Sequence, residues 1–192
     1  MRDTVSVVVT VRIVAISGSL RAGSMNGAVL RAAAAAAPRD MEIVLYEGLG
    51  SLPHFNPDLD GEGAIAPPPV VELRALLDGA QGVLISTPEY AHGVPGSLKN
   101  ALDWLVSTDV LGGKPIVLLN ASAGGGELAL NSLVEILRTM GADVLTWASL
   151  LTPFLKKKLG GTNVDPNVSA ALRPPLDALR EAALRRLALA ET

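Results

Sequence analysis

The decapeptide Ser17-Gly18-Ser19-Leu20-Arg21-Ala22-Gly23-Ser24-Met25-Asn26 separates a β-branched stretch from an alanine-rich one. Hydroxyls at Ser19 and Ser24, the Asn26 amide and the Arg21 guanidinium would surround the start of a helix. Free N–H groups and a partial positive charge collect there. Gly18 and Gly23 permit close backbone approach, so the loop suits a phosphate, with many donors and one full positive charge. Ser and Asn also favour plain N-caps and turns, which is the bland alternative. The pattern is neither G-x-x-x-x-G-K-[ST] nor G-x-G-x-x-G, which argues against a Walker loop and a Rossmann dinucleotide loop.

A second loop, Ser86-Thr87-Pro88-Glu89-Tyr90-Ala91-His92-Gly93-Val94-Pro95-Gly96, has two prolines and two glycines that stiffen the backbone and bring it close. Tyr90 offers a flat apolar face with a polar tip to a planar ligand. In a third loop, Ala121-Ser122-Ala123-Gly124-Gly125-Gly126, backbone N–H groups can approach a ring or its carbonyls.

These loops need elements to carry them. Strands are expected at 12–16, 42–46, 82–86, 114–120 and 142–147. Helices are expected at 26–37, 67–78, 96–106 and 127–140, with a last amphipathic helix at 170–190 interrupted at Pro174-Pro175. Six alanines, 32–37, favour helix strongly, and the 82–86 run lacks polar alternation, as a strand buried on both faces does. The segments 47–66 and 149–166 read as irregular. Strand–helix alternation repeated five times predicts a doubly wound α/β domain, a parallel five-stranded sheet between two helix layers. The flavodoxin-like order 2-1-3-4-5 is the expected one, with ligands outside the carboxyl ends of the strands near strands one and three. The 192 residues fit one domain, its core at about 12–147 and the segment 148–192 less defined.

Composition narrows the chemistry. With no cysteine, thiol catalysis, disulfides, iron–sulfur clusters and Cys-ligated zinc are excluded. Two histidines, His54 and His92, leave little for a His-rich metal site. Aromatic residues at 3% and a net charge of −3 give neither a stacking platform nor a basic footprint, so no nucleic-acid partner is expected. The apolar stretch before Ser17 is interrupted by Arg12 and too short to span a bilayer, so no membrane partner and a cytoplasmic location are expected. Redox chemistry would need an imported cofactor.

The motifs together resemble the NADPH-dependent FMN reductase family, which includes quinone, chromate and azo-dye reductases. Gly18-Ser19-Leu20-Arg21 with Ser24 and Asn26 looks like its FMN-phosphate loop. Pro88-Glu89-Tyr90, Pro95-Gly96 and Leu98-Lys99-Asn100-Ala101-Leu102-Asp103-Trp104 are similar to its second signature. Leu52-Pro53 and Phe55-Asn56-Pro57-Asp58 match a stretch of its second-strand loop, and Gly112-Gly113-Lys114-Pro115 its fourth strand. The likeness covers roughly residues 12–147.

By that resemblance Ser19, Arg21, Ser24 and Asn26, with Met25 between them, hold the FMN phosphate. Pro88, Glu89, Tyr90 and Ala91 line the isoalloxazine ring, and Ser122, Ala123 and Gly124 close its other edge. The donor is NADPH or NADH, the acceptor a small molecule, and the chemistry the cofactor's, so no catalytic side chain is nominated. A flavodoxin-type electron carrier and a flavin-binding module without turnover are the alternatives. Two features depart from the family: Ala91 stands where Asn is usual, and the segment with Lys156-Lys157-Lys158 matches no family pattern. The three lysines read as a solvated cluster, with a nicotinamide 2′-phosphate contact as the alternative. Glu89 reads as a carboxylate accepting loop N–H groups before a general base, and Trp104 as a core or dimer contact. The resemblance further implies a homodimer or homotetramer, with the second loop and the helix from Gly96 as its contact.

Overall fold

A computed structural model describes residues 9–120, 126–151 and 166–190 of the chain. Among the described residues five α-helices flank a parallel sheet. In chain order the elements are β1 (Val11–Ser17), α1 (Met25–Ala36), β2 (Met41–Tyr46), α2 (Pro68–Asp78), β3 (Gly82–Ser86), α3 (Gly96–Asp103), β4 (Pro115–Asn120), α4 (Glu127–Thr139), β5 (Asp143–Val144), β6 (Leu150–Leu151) and α5 (Pro166–Ala190). The strands lie in the order β2-β1-β3-β4-β5, all parallel, as expected. The second-strand connection carries two 3-10 turns, Gly48–Ser51 and Pro57–Leu59.

Period-two alternation sorts the strand residues into two cores. Val14, Ile16, Val83, Ile85, Ile116 and Leu118 face α2, α3 and α4. Ile13, Ala15, Leu84, Val117 and Leu119 face α1 and α5. Both faces are covered, which is why β3 and β4 are buried at every residue and are apolar up to their terminal Ser86 and Asn120. The alanines of α1 supply Ala32 and Ala33 to the second core. Asp40, before β2, ties α5 in place: Arg180 Nε donates to both its carboxylate oxygens at 2.8 Å, a pairing that holds the Asp40 carboxyl below its usual pKa. No helix among the described residues is long and apolar enough to cross a membrane.

Two expectations change. The fifth strand, expected at 142–147, is only Asp143–Val144, because Leu145–Ser149 turns back in local hydrogen bonds. The chain then returns to β4 as β6, pairing Leu119 with Leu150 and Asn120 with Leu151. The sheet's fifth position is thus filled in two pieces. The last helix runs unbroken through Pro174 and Pro175 rather than stopping there, and it begins at Pro166. Each proline removes an amide donor. Buried Leu172, Leu176 and Leu179, packed on the sheet, hold the helix across that gap.

Lys114, just before β4, is the one charged residue buried among the described residues: it is 2% exposed, and its ammonium donates to the Leu77 carbonyl at the end of α2. Burial, helped by the Arg186 charge and opposed by Asp78, lowers its pKa from 10.5 to about 8. Between those values the unfolded chain binds the extra proton, so stability rises with pH across that window. At neutral pH the buried charge is therefore a cost. Leu77 O also accepts from the Ala80 N–H at 3.1 Å, so Lys114→Met strands no acceptor. The variant should gain on wild type at pH 7 and lose up to ~3 kcal/mol of that advantage by pH 10. Urea unfolding of both proteins across this range measures it.

Candidate functional site

β1 and β3 are hydrogen-bonded neighbours, so their following loops leave the sheet side by side. The Gly18 N–H donates to Ser86 O at 2.8 Å, extending the pairing past the end of β1. A methyl on Gly18 would overlap the Thr87 side chain and lie 3.1 Å from Leu98, so only glycine fits between the loops. Ser86 Oγ donates to Asn26 Oδ1 at 2.9 Å, both residues being buried. Asn26 therefore binds the start of α1 to the end of β3.

The first loop winds on itself. The Ser19 N–H donates to Ser17 Oγ at 3.3 Å, the Arg21 N–H to Ser19 Oγ at 3.4 Å, and the Ser24 N–H to Arg21 O at 2.9 Å. Ser24 is the N-cap of α1: its Oγ accepts from the amides of Asn26 at 3.2 Å and Gly27 at 3.5 Å. Capping uses the Ser24 oxygen as an acceptor and leaves the hydroxyl its proton to donate. A cleft of about 360 Å³ opens over this loop, lined by Ser17, Ser19, Arg21 and Ser24 and also by Arg31, Tyr46 and Glu47. Met25 starts α1 and packs on the α1–α5 core. Arg31, unremarked in the sequence, falls four residues after Gly27 and seven after Ser24, spacings that place all three on one helix face.

The second loop is a tight reversal. Tyr90 and Gly93 exchange backbone hydrogen bonds, Tyr90 N–H to Gly93 O at 3.1 Å and the reverse at 2.9 Å. Between them Ala91 and His92 both adopt left-handed backbone, φ 49° and 61°. Asn tolerates that region far better than Ala, so the usual family residue suits the turn for a backbone reason. Tyr90 is 56% exposed. Glu89 does what a structural carboxylate does: its Oε2 accepts from the Ala129 N–H at 3.0 Å in the first turn of α4. The residue capping that helix is Gly126, which has no side chain, so the second loop supplies the missing acceptor. The other Glu89 oxygen lies 3.4 Å from His92 Nδ1.

Behind these loops α3 fixes the second-strand connection. Asn100 Oδ1 accepts from the Phe55 N–H at 2.8 Å, and its Nδ2 donates to Pro53 O at 2.9 Å. Trp104 Nε1 donates to the same carbonyl at 2.8 Å, and its fully buried ring meets Phe55 edge-on at 5.1 Å. Trp104 is thus a core residue, and Asn100 an orienting one. Lys99 pairs with Asp103 at 2.5 Å on the outer surface. Ser122, Ala123, Gly124 and Lys156–Lys158 lie outside the described residues. Among the described residues no group of three or more His, Asp or Glu side chains could hold a metal ion.

The Ala91 conformation generates a stability test. Ala91→Gly removes the clash of Cβ with a left-handed backbone and should stabilise the protein by about 1 kcal/mol, while Ala91→Val, β-branched in the same conformation, should destabilise it relative to wild type. Urea midpoints of the two variants against wild type check the order.

The NADPH-dependent FMN reductase family profile matches residues 11–153. A quinone reductase of Escherichia coli is 34% identical over 165 residues, 84% of this chain and 85% of that protein. An NAD(P)H-dependent FMN reductase of Pseudomonas aeruginosa is 39% identical over 116 residues, 59% of this chain and 61% of that one. Among solved structures, the flavoenzyme NAD(P)H:(acceptor) oxidoreductase FerB of Paracoccus denitrificans superposes with a TM-score of 0.80 at 27% identity, covering 92% of this chain and 98% of its own. With these motifs carried on a sheet of this order, the chain belongs to the NADPH-dependent FMN reductase family, as an oxidoreductase working with FMN and a reduced nicotinamide.

Proposed function

We propose that the protein reduces quinones at the carboxyl ends of β1, β3 and β4, with FMN held by the first and second loops. The observation that carries this reading is the joining of those loops through Gly18, Ser86 and Asn26, which sets a phosphate donor set beside a stiff, flat-faced loop. The cleft over the first loop fits a phosphate, since its lining supplies hydroxyls from Ser17, Ser19 and Ser24 and a guanidinium from Arg21. Ser19 and Arg21 bind the phosphate; Ser24 holds the Asn26 and Gly27 amides in place and offers its own proton. Met25 and Asn26 set the entry of α1 beneath it. Pro88, Glu89, Tyr90 and Ala91 line the ring largely by backbone, and Ser122, Ala123 and Gly124 take its far edge. The redox chemistry is the cofactor's, a hydride from NADPH or NADH coming in and electrons going out to the acceptor. The protein's share is orientation, with Glu89 keeping the second loop in register with α4.

Charge favours a neutral planar acceptor. From Ser86 to Leu98 the charged or titratable groups are Glu89, Tyr90 and His92, with no lysine or arginine. A carboxylate there repels an oxyanion such as chromate, whereas a quinone carries no charge and can lie against an aromatic face. Several relatives bear quinone-reductase names, including a 2-hydroxy-1,4-benzoquinone reductase of Burkholderia at 36% identity over 116 residues. We further infer a homodimer through the second loop and α3. The surface there includes Val106, 66% exposed, beside a cleft of about 250 Å³ that Leu102, Ile136 and Met140 line between α3 and α4.

Steady-state turnover with benzoquinone, free flavin, chromate and an azo dye, each with NADH and NADPH, tests the acceptor. The expected result is a kcat/KM for the quinone at least tenfold above that for chromate; parity or reversal would sink the assignment. Anaerobic mixing with NADPH should bleach the flavin rapidly, which a simple electron carrier does not show. Val106→Arg should convert the assembly to monomer in light scattering without unfolding it, because the side chain is exposed in the single chain.

A further inference from the structure

Arg31 lies outside the loop motif, yet its guanidinium turns back toward the start of α1. Its Nη1 would be 3.3 Å from a methyl built on Gly27, and it lines the same cleft as Ser19, Arg21 and Ser24. α1 has no acidic residue in its first turn. Glu47 also lines the cleft, but among the described residues neither Arg21 nor Arg31 forms an ion pair. Cations are favoured at the C-terminal end of a helix dipole and disfavoured at its N-terminal end. Two guanidiniums gathered at the positive end of α1 therefore oppose the helix field, and only an anion between them reverses the sign. One arginine would serve a singly charged group. Two match a phosphate monoester, which carries ~1.5 to 2 negative charges at neutral pH.

We propose that Arg31 is a second phosphate cation of the flavin site and makes the protein select FMN over flavins that lack the phosphate. The proposal rests on assigning the first loop to the FMN phosphate. Gly27 has its own part in it, since a side chain there would press on the Arg31 guanidinium at 3.3 Å. The long arginine stem lets a residue two turns into the helix serve its first turn.

Dilution of protein loaded with either FMN or riboflavin, followed by the fluorescence of released flavin, tests the proposal on wild type, Arg31→Gln, Arg31→Lys and Arg21→Gln. The expected result for Arg31→Gln is roughly 10- to 100-fold weaker FMN retention with riboflavin retention unchanged, as loss of a charged hydrogen bond to the phosphate alone requires. Arg31→Lys should recover most of the loss, and the dependence of FMN affinity on salt should be shallower in Arg31→Gln. Melting of the riboflavin-loaded Arg31→Gln variant should match wild type. If the variant weakens both flavins equally, or lowers that melting temperature, Arg31 has a structural role and the proposal fails. If Arg21→Gln loses FMN while Arg31→Gln keeps it, Arg31 is not a phosphate cation, though the loop assignment stands. If neither change affects FMN, the first-loop assignment itself is wrong.

Discussion

Ser86 ends β3 with its carbonyl accepting from the Gly18 N–H at 2.8 Å and its hydroxyl donating to Asn26 at 2.9 Å. Those bonds join two strands and the helix between them at one point, and the bonds are buried, where leaving a donor or acceptor unmatched is expensive. Both loops proposed to hold the cofactor start from that point. The first loop takes its path from Gly18, α1 takes its direction from Asn26, and the second loop begins one residue later at Thr87, packed against Gly18. A side chain at position 18 would separate all three, and no rearrangement of the loops alone could restore them.

A second level of fixing comes from α3 and α4. Asn100 and Trp104 share the Pro53 carbonyl, which pins the second-strand connection from beneath. Arg74 adds its own bonds to the Trp104 carbonyl, to Asp60 at 2.6 Å and to Ser107 at 3.1 Å, so the far end of that connection is held as well. Glu89 crosses from the second loop to α4. The second-strand connection thus owes its shape to side chains of α2 and α3, whereas the second loop is tied to α4 by its own Glu89. Rigid elements placing short, specific loops is how this fold accommodates different chemistries.

The parts of the fold that were legible in the sequence are those where one local signal agreed with burial. β3 and β4 are apolar up to their last residues, Ser86 and Asn120, because both faces are covered, and Ser24 caps the start of α1. The fifth strand is shorter than its sequence suggests because Ala142–Trp147 is apolar enough to continue, while the turn at Leu145–Ser149 depends on backbone bonds that composition does not mark. Pro174-Pro175 looked like a break because local sequence cannot weigh the burial that carries a helix across two lost donors. At the candidate site, Ser19, Arg21, Ser24 and Asn26 were readable as one loop motif, of which Ser19, Arg21 and Ser24 line a common cleft. Arg31 was not, because a lone arginine in an alanine-rich helix looks like any solvated face; only the helical period linking it to Ser24 and Gly27 sets it apart. Glu89 was readable as a carboxylate seeking amides, but its target, forty residues onward in α4, was not.

The two cores differ in when they can be completed. The layer of α2, α3 and α4 closes over its face of the sheet using chain that precedes or directly follows β4. The opposite face, with Ile13, Leu84, Val117 and Leu119, has α1 from early on but depends on Leu172, Leu176 and Leu179 of α5 for the rest of its cover. During synthesis the ribosome releases every strand before it releases that helix. The nascent chain must therefore pass through a stage with one dressed face and one partly bare apolar face, when self-association and chaperone capture compete with folding. The Arg180–Asp40 pair, bridging 140 positions, acts at the close of that stage, latching the late helix to the turn that precedes β2.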